Sequence, residues 1–436
     1  MAIMSVIAAI VTMLLFYSVN YSCYSYVTVY SIMAFISYPI AAYANLLINS
    51  PAVRIDLWEE TPIALLGYIV GVVCIYLGAV AHARINRNKT KLNDGRNIVI
   101  SVKFNAAMTA GIILVAILKI RLGLYFHASV TSFSGENAGY LNLLEHLTCL
   151  SYCGIYLQAY RYIITKSKND LFFVLVYSLL PIIIYLPSGS RIQALGHLPL
   201  LVLFYLYFEK NIKAQIVALS LGVFLFVTLT VTVGIYRDMK GLADASSIEK
   251  YSMLQLAAGE AQLGNADPQS LLVGRMSDFV ATGRIISKTP EWFPFKSIEG
   301  MDGWVQILLP GFFRPSEATV NFNDGAVETY KYGVTAGDWT STPVMILGDL
   351  FARFGWWGIV FGMFMFGYIL AALDLKMANQ KIIFFIVFNV LFFRFVWMLY
   401  AGSLLASFSA FTRDMFLVYL VARLMTSLAL KSSVRV

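Results

Sequence analysis

Apolar stretches about as long as a hydrocarbon core is thick, roughly 20 residues when helical, recur along nearly the whole chain. They fall near residues 2–19, 27–49, 62–81, 100–119, 141–160, 170–187, 192–208, 214–235, 355–374, 382–401 and 414–430, and one shorter apolar piece occupies 342–352. This pattern predicts an all-α polytopic membrane protein with about 11–12 transmembrane helices, counted from those stretches. A single long hydrophilic stretch interrupts it. The chain therefore divides into N-terminal transmembrane helices (1–235), a large loop (236–340) and C-terminal transmembrane helices (341–436).

Composition supports the class: 59% of residues are apolar, 13% are charged and the mean hydropathy is +0.72, far from a soluble globular balance. Charge supplies the orientation. Lys and Arg collect in cytoplasmic loops, and here they cluster at Arg84, Arg87, Lys89, Lys91, Arg96 and Lys103, at Arg161, Lys166 and Lys168, at Lys210 and Lys213, at Lys376 and Lys381, and in the tail with Lys431 and Arg435. The loops at 120–140, 187–191, 236–340 and 402–412 then lie on the opposite side. The large loop carries nine Lys and Arg against thirteen Asp and Glu, so the chain's net +8 resides in the remainder and reports topology. The basic loops are short and lack interleaved aromatics, which gives no reason to invoke nucleic acid. Parity puts Met1 outside. The first nineteen residues read as a retained span, since they lack a charged n-region and an A-x-A site. Cys23, Cys74, Cys149 and Cys153 lie in or beside apolar segments and indicate neither a disulfide framework nor a zinc site. No internal repeat or pair of matching halves stands out.

Chemistry concentrates on the outer side. At Pro187-Ser188-Gly189-Ser190-Arg191, an N-cap serine, the free amides of a first helical turn and a guanidinium together make an anion site favourable to phosphate. The alternative is a capped helical hairpin whose arginine snorkels to head groups. Asp267-Pro268 opens a predicted helix to about Lys288, with Leu272, Met276, Phe279, Gly283 and Ile286 on one face. Arg275 and Asp278 flank that face, either as an intrahelical ion pair or as a diphosphate ligand with its orienting partner. Arg284 projects roughly 180° from Arg275. Two Pro- and aromatic-rich runs come next, Pro290-Glu291-Trp292-Phe293-Pro294-Phe295 and Gly311-Phe312-Phe313-Arg314-Pro315. They suit either stacking on sugar rings or the ordinary aromatic belt of a membrane boundary. Arg353 lies between the short apolar piece and the next span, where an arginine is costly unless it meets an anion or carboxylate; Asp349 is one turn earlier. Arg394, inside a span, faces the same choice and reads as structural.

The stretch from Ser341 to Leu370 carries Ser341-Thr342-Pro343, Gly348-Asp349-Leu350, Arg353-Phe354-Gly355-Trp356-Trp357-Gly358 and Gly367. It resembles the carboxy-terminal signature of the bacterial oligosaccharide repeat-unit polymerases, the O-antigen or Wzy-type family. Ser188-Gly189-Ser190-Arg191 is similar to that family's short Gly-Ser-Arg element. The run Arg275 to Gly300 resembles its loop segment, Pro310 to Pro315 its Pro-Arg element, and the spacing of Arg314 and Gly325 its Arg-x10-Gly motif. A second copy of that motif starting at Arg121 is absent, because Ser132 stands at the glycine position. The likeness covers roughly residues 180–375.

The resemblance implies a GT-C-like architecture in the bacterial inner membrane with the large loop in the periplasm. It implies substrates that are undecaprenyl-diphosphate-linked oligosaccharides, a chain-length regulator as a further partner, and no cofactor. Such a reaction needs cations for the departing diphosphate and a group to take the attacking hydroxyl's proton. For the first task the outward arginines are Arg191, Arg237, Arg275, Arg284, Arg314 and Arg353, with Ser190; for the second, Asp338, Asp349, Glu317 and Asp278 stand ahead of His127. His146 and His197 sit in spans and read as structural. No metal is demanded, because arginines can supply the electrostatics and no His/Asp cluster has ligand spacing. Three rivals remain: an O-antigen ligase, a secondary transporter or lipid flippase, and a non-catalytic component of envelope assembly. A transporter predicts ionisable residues near mid-span and broken helices in paired positions.

Overall fold

A computed structural model of the chain describes residues 2–18, 25–48, 59–85, 102–121, 154–185, 194–209, 211–238, 249, 252–257, 279–298, 331–333 and 344–378. The described elements are helical, and five helices are long and apolar enough to cross a membrane: Tyr26–Leu47, Glu60–Ile85, Lys168–Tyr185, Ile212–Val233 and Ile346–Leu375. Each coincides with an apolar stretch read from the sequence. The expected spans at 382–401 and 414–430 lie outside the described residues. The chain forms two compact units.

The first unit contains α1 (Ala2–Ser18), α2 (Tyr26–Phe35), a π-helical turn (Ile36–Ile40), α3 (Ala41–Ile48) and α4 (Glu60–Ile85). Ser25 caps α2 by accepting from the Thr28 amide at 3.0 Å, and the Tyr26 amide donates to Asp374 Oδ1 at 2.7 Å. A carboxylate far away in the chain thus serves one of the orphan donors at this helix start. Pro39 lies inside the π-helical turn. It has no N–H to give, and the widened turn accommodates the missing bond without ending the helix. Tyr38 stacks on Tyr68 with ring centroids 5.2 Å apart, and Tyr68 OH meets Thr12 Oγ1 at 2.8 Å. These two contacts tie α1 and the π turn to the middle of α4.

Two further elements of this unit come from later in the chain. Helices of the second unit intervene, among them α5 (Val102–Arg121), α6 (154–165), α7 (Lys168–Tyr185), α8 (His197–Phe208) and α9 (Ile212–Asp238). The two later elements are α10 (Phe279–Lys288) and α11 (Ile346–Ala378). α10 lies within the helix expected from Asp267, and its predicted apolar face is buried at Phe279, Gly283 and Ile286. A Cβ on Gly283 would stand 2.6 Å from the Glu60 carbonyl oxygen. Only a glycine admits so close an approach of α10 to the start of α4.

α11 is two arms. Gly355, at φ 62° and ψ −148°, has a backbone conformation essentially confined to glycine. In a continuous helix, residues eight apart are about 12 Å apart along the axis, yet a Cβ on Gly358 would lie 2.1 Å from the Leu350 carbonyl oxygen. The chain therefore doubles back at Gly355, laying 346–354 against 358–363. The long arm, from Trp356 onward, runs alongside α4: Gly67 faces Ile359, and Gly367 faces Ile75. Gly78 of α4 and Gly367 of the long arm, whose added Cβ atoms would each stand 2.0 Å from a carbonyl oxygen of the other helix, allow the close backbone approach that membrane helices use in place of a hydrophobic driving force. The sequence places a boundary between the apolar piece at 342–352 and the span at 355–374; the structure makes it a reversal.

The second unit packs Ile112, Ile155, Tyr177, Ile184, Tyr185, Ala194, Leu195 and Leu198 into one core. His197 is buried with Nε2 3.0 Å from the Ser178 carbonyl oxygen, the structural role the sequence suggests. Its helix connections are fixed by ion pairs. Asp170 takes Arg161 at 3.2 Å and the Thr165 hydroxyl at 2.8 Å, while Glu209 takes Lys166, the Tyr205 hydroxyl and the Asn211 amide. Lys166 first, and the Asn211 amide second, hold the Glu209 carboxyl below its ordinary value. A carboxyl whose folded pKa is depressed adds stability that is present above its unfolded pKa and is lost as pH falls through the folded value. Between about pH 6 and about pH 3 the melting temperature is therefore expected to fall less in Glu209→Gln than in the parent chain. Parallel slopes in a thermal-shift titration would remove Glu209 from the acid response.

Candidate functional site

Charged side chains gather at the end of the first unit where α4 begins. Glu60 opens α4, where a carboxylate is favoured by the free amides of the first turn. Its Oε2 accepts from Arg284 Nε at 2.7 Å, and both side chains are largely buried. Arg284 Nη1 also donates to the Gly333 carbonyl at 3.0 Å. One turn on, Lys288 Nζ donates to the Tyr332 carbonyl at 3.1 Å, and Thr289 Oγ1 lies 3.0 Å from Tyr332 OH. Phe293 packs edge-on against Tyr332, with Lys331 Nζ 4.8 Å from its ring centre. The cations of α10 are thus oriented by a carboxylate and by the carbonyls of the short stretch 331–333.

A second pair sits on the short arm of α11. Arg353 Nε reaches both oxygens of Asp349 at 3.2 Å, with side chains 7% and 4% exposed. Arg353 Nη1 donates to the Ser297 carbonyl at 3.3 Å, and the Ser297 and Lys296 amides donate back to the Arg353 and Ala352 carbonyls at 3.1 and 2.9 Å. A buried arginine needs a carboxylate, and the i,i+4 spacing supplies one. The pair also fastens the 291–298 loop to the hairpin. α10 touches the same arm, since a Cβ on Gly348 would lie 3.0 Å from Ile285 Cδ1, and it also meets the π-helical turn, where Thr282 Oγ1 bonds Tyr38 OH at 2.7 Å.

Of the residues singled out in the sequence, Arg284, Arg353 and Asp349 come together at this end of the unit. Arg353 and Asp349 satisfy each other in a nearly solvent-free setting and hold the 291–298 loop. Arg284 is the more accessible cation. Arg237 lies in the last turn of α9, with only its backbone described. Ser190, Arg191, Arg275, Asp278, Arg314, Glu317 and Asp338 lie outside the described residues, as do His127, His146 and Arg394.

Sequence reasoning missed Glu60, whose local sign was present: Glu59-Glu60-Thr61-Pro62 directly precedes an apolar run, the arrangement of a helix start. Tyr332 and Gly333 carried no such sign. Among the described residues no group of three or more His, Cys, Asp or Glu is placed to hold a metal. Comparison with protein-family models, with curated proteins and with solved structures gave no match.

Proposed function

We propose that the chain is a multi-pass membrane glycosyltransferase that polymerises undecaprenyl-diphosphate-linked oligosaccharide repeat units at the outer face of a bacterial inner membrane. The reading rests on the motif resemblance between Ser188 and Gly367. One structural observation supports it: the helix that carries Arg284 packs against the short arm that carries Arg353, with Gly348 beside Ile285 and Thr282, and Arg284 is held by Glu60 at the start of α4, the end of the first unit that the charge pattern assigns to the outside. In the proposed reaction, a terminal sugar hydroxyl of one lipid-linked unit attacks the anomeric carbon of another. The glycosidic bond to the diphosphate breaks, its electron pair leaves with the undecaprenyl diphosphate, and the hydroxyl proton passes to a carboxylate. Fixed guanidinium groups stabilise the leaving charge best where water is scarce and their orientation is already set. Glu60 and the Gly333 carbonyl give Arg284 that orientation. The other diphosphate ligands in this reading are Arg191, Arg237, Arg275 and Arg314 with Ser190, and the base is one of Asp278, Glu317, Asp338 and Asp349.

Deletion of the gene is expected to remove the long polysaccharide ladder and to leave a single capping unit on gels of surface polysaccharide. Loss of both would indicate a ligase or an earlier step. Arg284→Gln combined with Glu60→Gln, and separately Arg191→Ala and Arg275→Ala, are expected to abolish the ladder at unchanged membrane levels of protein. Wild-type ladders from all three would end this assignment. A transporter reading takes support from the interrupted helices at Pro39 and Gly355, since broken helices line the substrate sites of many carriers. Proteoliposomes separate the two: a polymerase lengthens lipid-linked units supplied on one face, and a carrier moves them across unchanged.

A further inference from the structure

We propose that the loop at 291–298 is an interfacial membrane anchor, with Trp292, Phe295 and Ile298 entering the head-group and upper acyl region of the bilayer. The loop is short and fixed at both ends. The Trp292 and Phe293 amides donate to the Lys288 carbonyl at 2.9 and 3.2 Å, and the Lys296 and Ser297 amides donate to the carbonyls of residues 352 and 353. Phe293 is held on Tyr332. With its backbone tied down, the loop still leaves Trp292 75%, Ile298 69% and Phe295 43% exposed. Large apolar side chains on a rigid loop, if left in water, would forfeit the burial energy of their exposed parts.

The bonds to residues 352 and 353 also set the loop's height. They lie just before Trp356, where the long arm of α11 begins; from there to Leu375 it is about 30 Å long, the thickness of a hydrocarbon core. The loop is therefore level with the start of the crossing, where Trp and aromatic side chains are enriched. An aromatic path links the two. A Cβ on Gly355 would lie 3.1 Å from Phe295 Cζ, Phe295 and Phe351 have ring centres 6.2 Å apart, and Phe351 meets Trp356 edge-on at 5.4 Å. Below it, Trp357, Phe361, Met365 and Ile369 form an exposed stripe at four-residue spacing, and Trp357 stacks on Phe361. The surface of the loop continues a helix face that already has the character of a lipid-facing one. Lys296 in the loop and Lys331, whose Nζ lies 4.8 Å from the Phe293 ring centre, suit phosphate head groups at that level. The occupant this surface fits is the bilayer. The inference depends on the membrane-spanning character of α11 and not on the glycan chemistry, so a negative polymerisation assay leaves it standing.

The test places single cysteines at Trp292 and Ile298 in a chain whose Cys23, Cys74, Cys149 and Cys153 are replaced by alanine. An environment-sensitive fluorophore is attached and the protein is reconstituted into phosphatidylcholine vesicles. Expected is a blue-shifted emission at both sites that nitroxide lipids labelled near the head group extinguish. Emission that those lipids leave unchanged overturns the proposal. Aqueous iodide then tells whether water or protein covers the loop. A second measurement avoids the cysteine replacements: brominated lipid is expected to quench less of the total tryptophan emission in Trp292→Phe than in the parent chain, and equal quenching overturns the proposal as well.

Discussion

Gly78→Ala and Gly367→Ala are each expected to lower the melting temperature of the detergent-solubilised protein by several degrees, while Gly111→Ala leaves it unchanged or raises it. All three sit inside helices, where alanine is ordinarily better than glycine by about 1 kcal/mol. The surroundings decide the sign. A Cβ on Gly78 would stand 2.0 Å from the Phe364 carbonyl oxygen, and one on Gly367 would stand 2.0 Å from that of Ile75. Both obstacles are backbone, so no side chain can rotate away. α4 and the long arm of α11 would have to separate, and in a bilayer their association rests on close packing, because lipid tails are as apolar as the side chains. Overpacking costs about 1–3 kcal/mol and more where the backbone itself must move, which outweighs the gain in propensity. Gly111 has nothing within 4 Å of its added Cβ and keeps only the gain. A thermal-shift comparison of the three variants is sufficient. Equal shifts would mean that α4 and α11 do not meet through these glycines.

Much of this helix arrangement was legible in sequence because hydropathy is a local property. The apolar stretches at 62–81, 170–187 and 214–235 mark the helices Glu60–Ile85, Lys168–Tyr185 and Ile212–Asp238. The bond between Asp349 and Arg353 was legible for the same reason, since four residues make one turn. Features set by the direction of the chain were not. A break near Gly355 is visible as a boundary between apolar runs, but no periodicity says whether the second run continues the first or turns against it. The contact of Glu60 with Arg284 joins residues that the helices of the second unit separate along the chain. Sequence offers only half of it, an acid at a helix start. The candidate anion-binding stretches at Ser188 to Arg191 and at Arg275 lie outside the described residues.

The Asp349–Arg353 pair leads to the second large effect. Arg353→Met alone and Asp349→Leu alone are each expected to destabilise the protein severely, and the double variant is expected to recover most of the loss. Both side chains are almost fully buried. Removing one leaves a charge without its partner in a poorly solvated place, at a cost of about 3–5 kcal/mol, whereas replacing both by apolar groups of similar size removes the desolvation penalty together with the attraction. Recovery will be incomplete, because Arg353 also serves the Ser297 carbonyl, and that acceptor then loses a donor. The cycle separates the two roles considered for this arginine. If the pair only fastens the 291–298 loop, the double variant regains both its melting temperature and its polysaccharide ladder. If Arg353 exchanges Asp349 for a lipid diphosphate during the reaction, the double variant regains stability and stays inactive. Single variants as stable as the parent would show that the two side chains are not buried against each other.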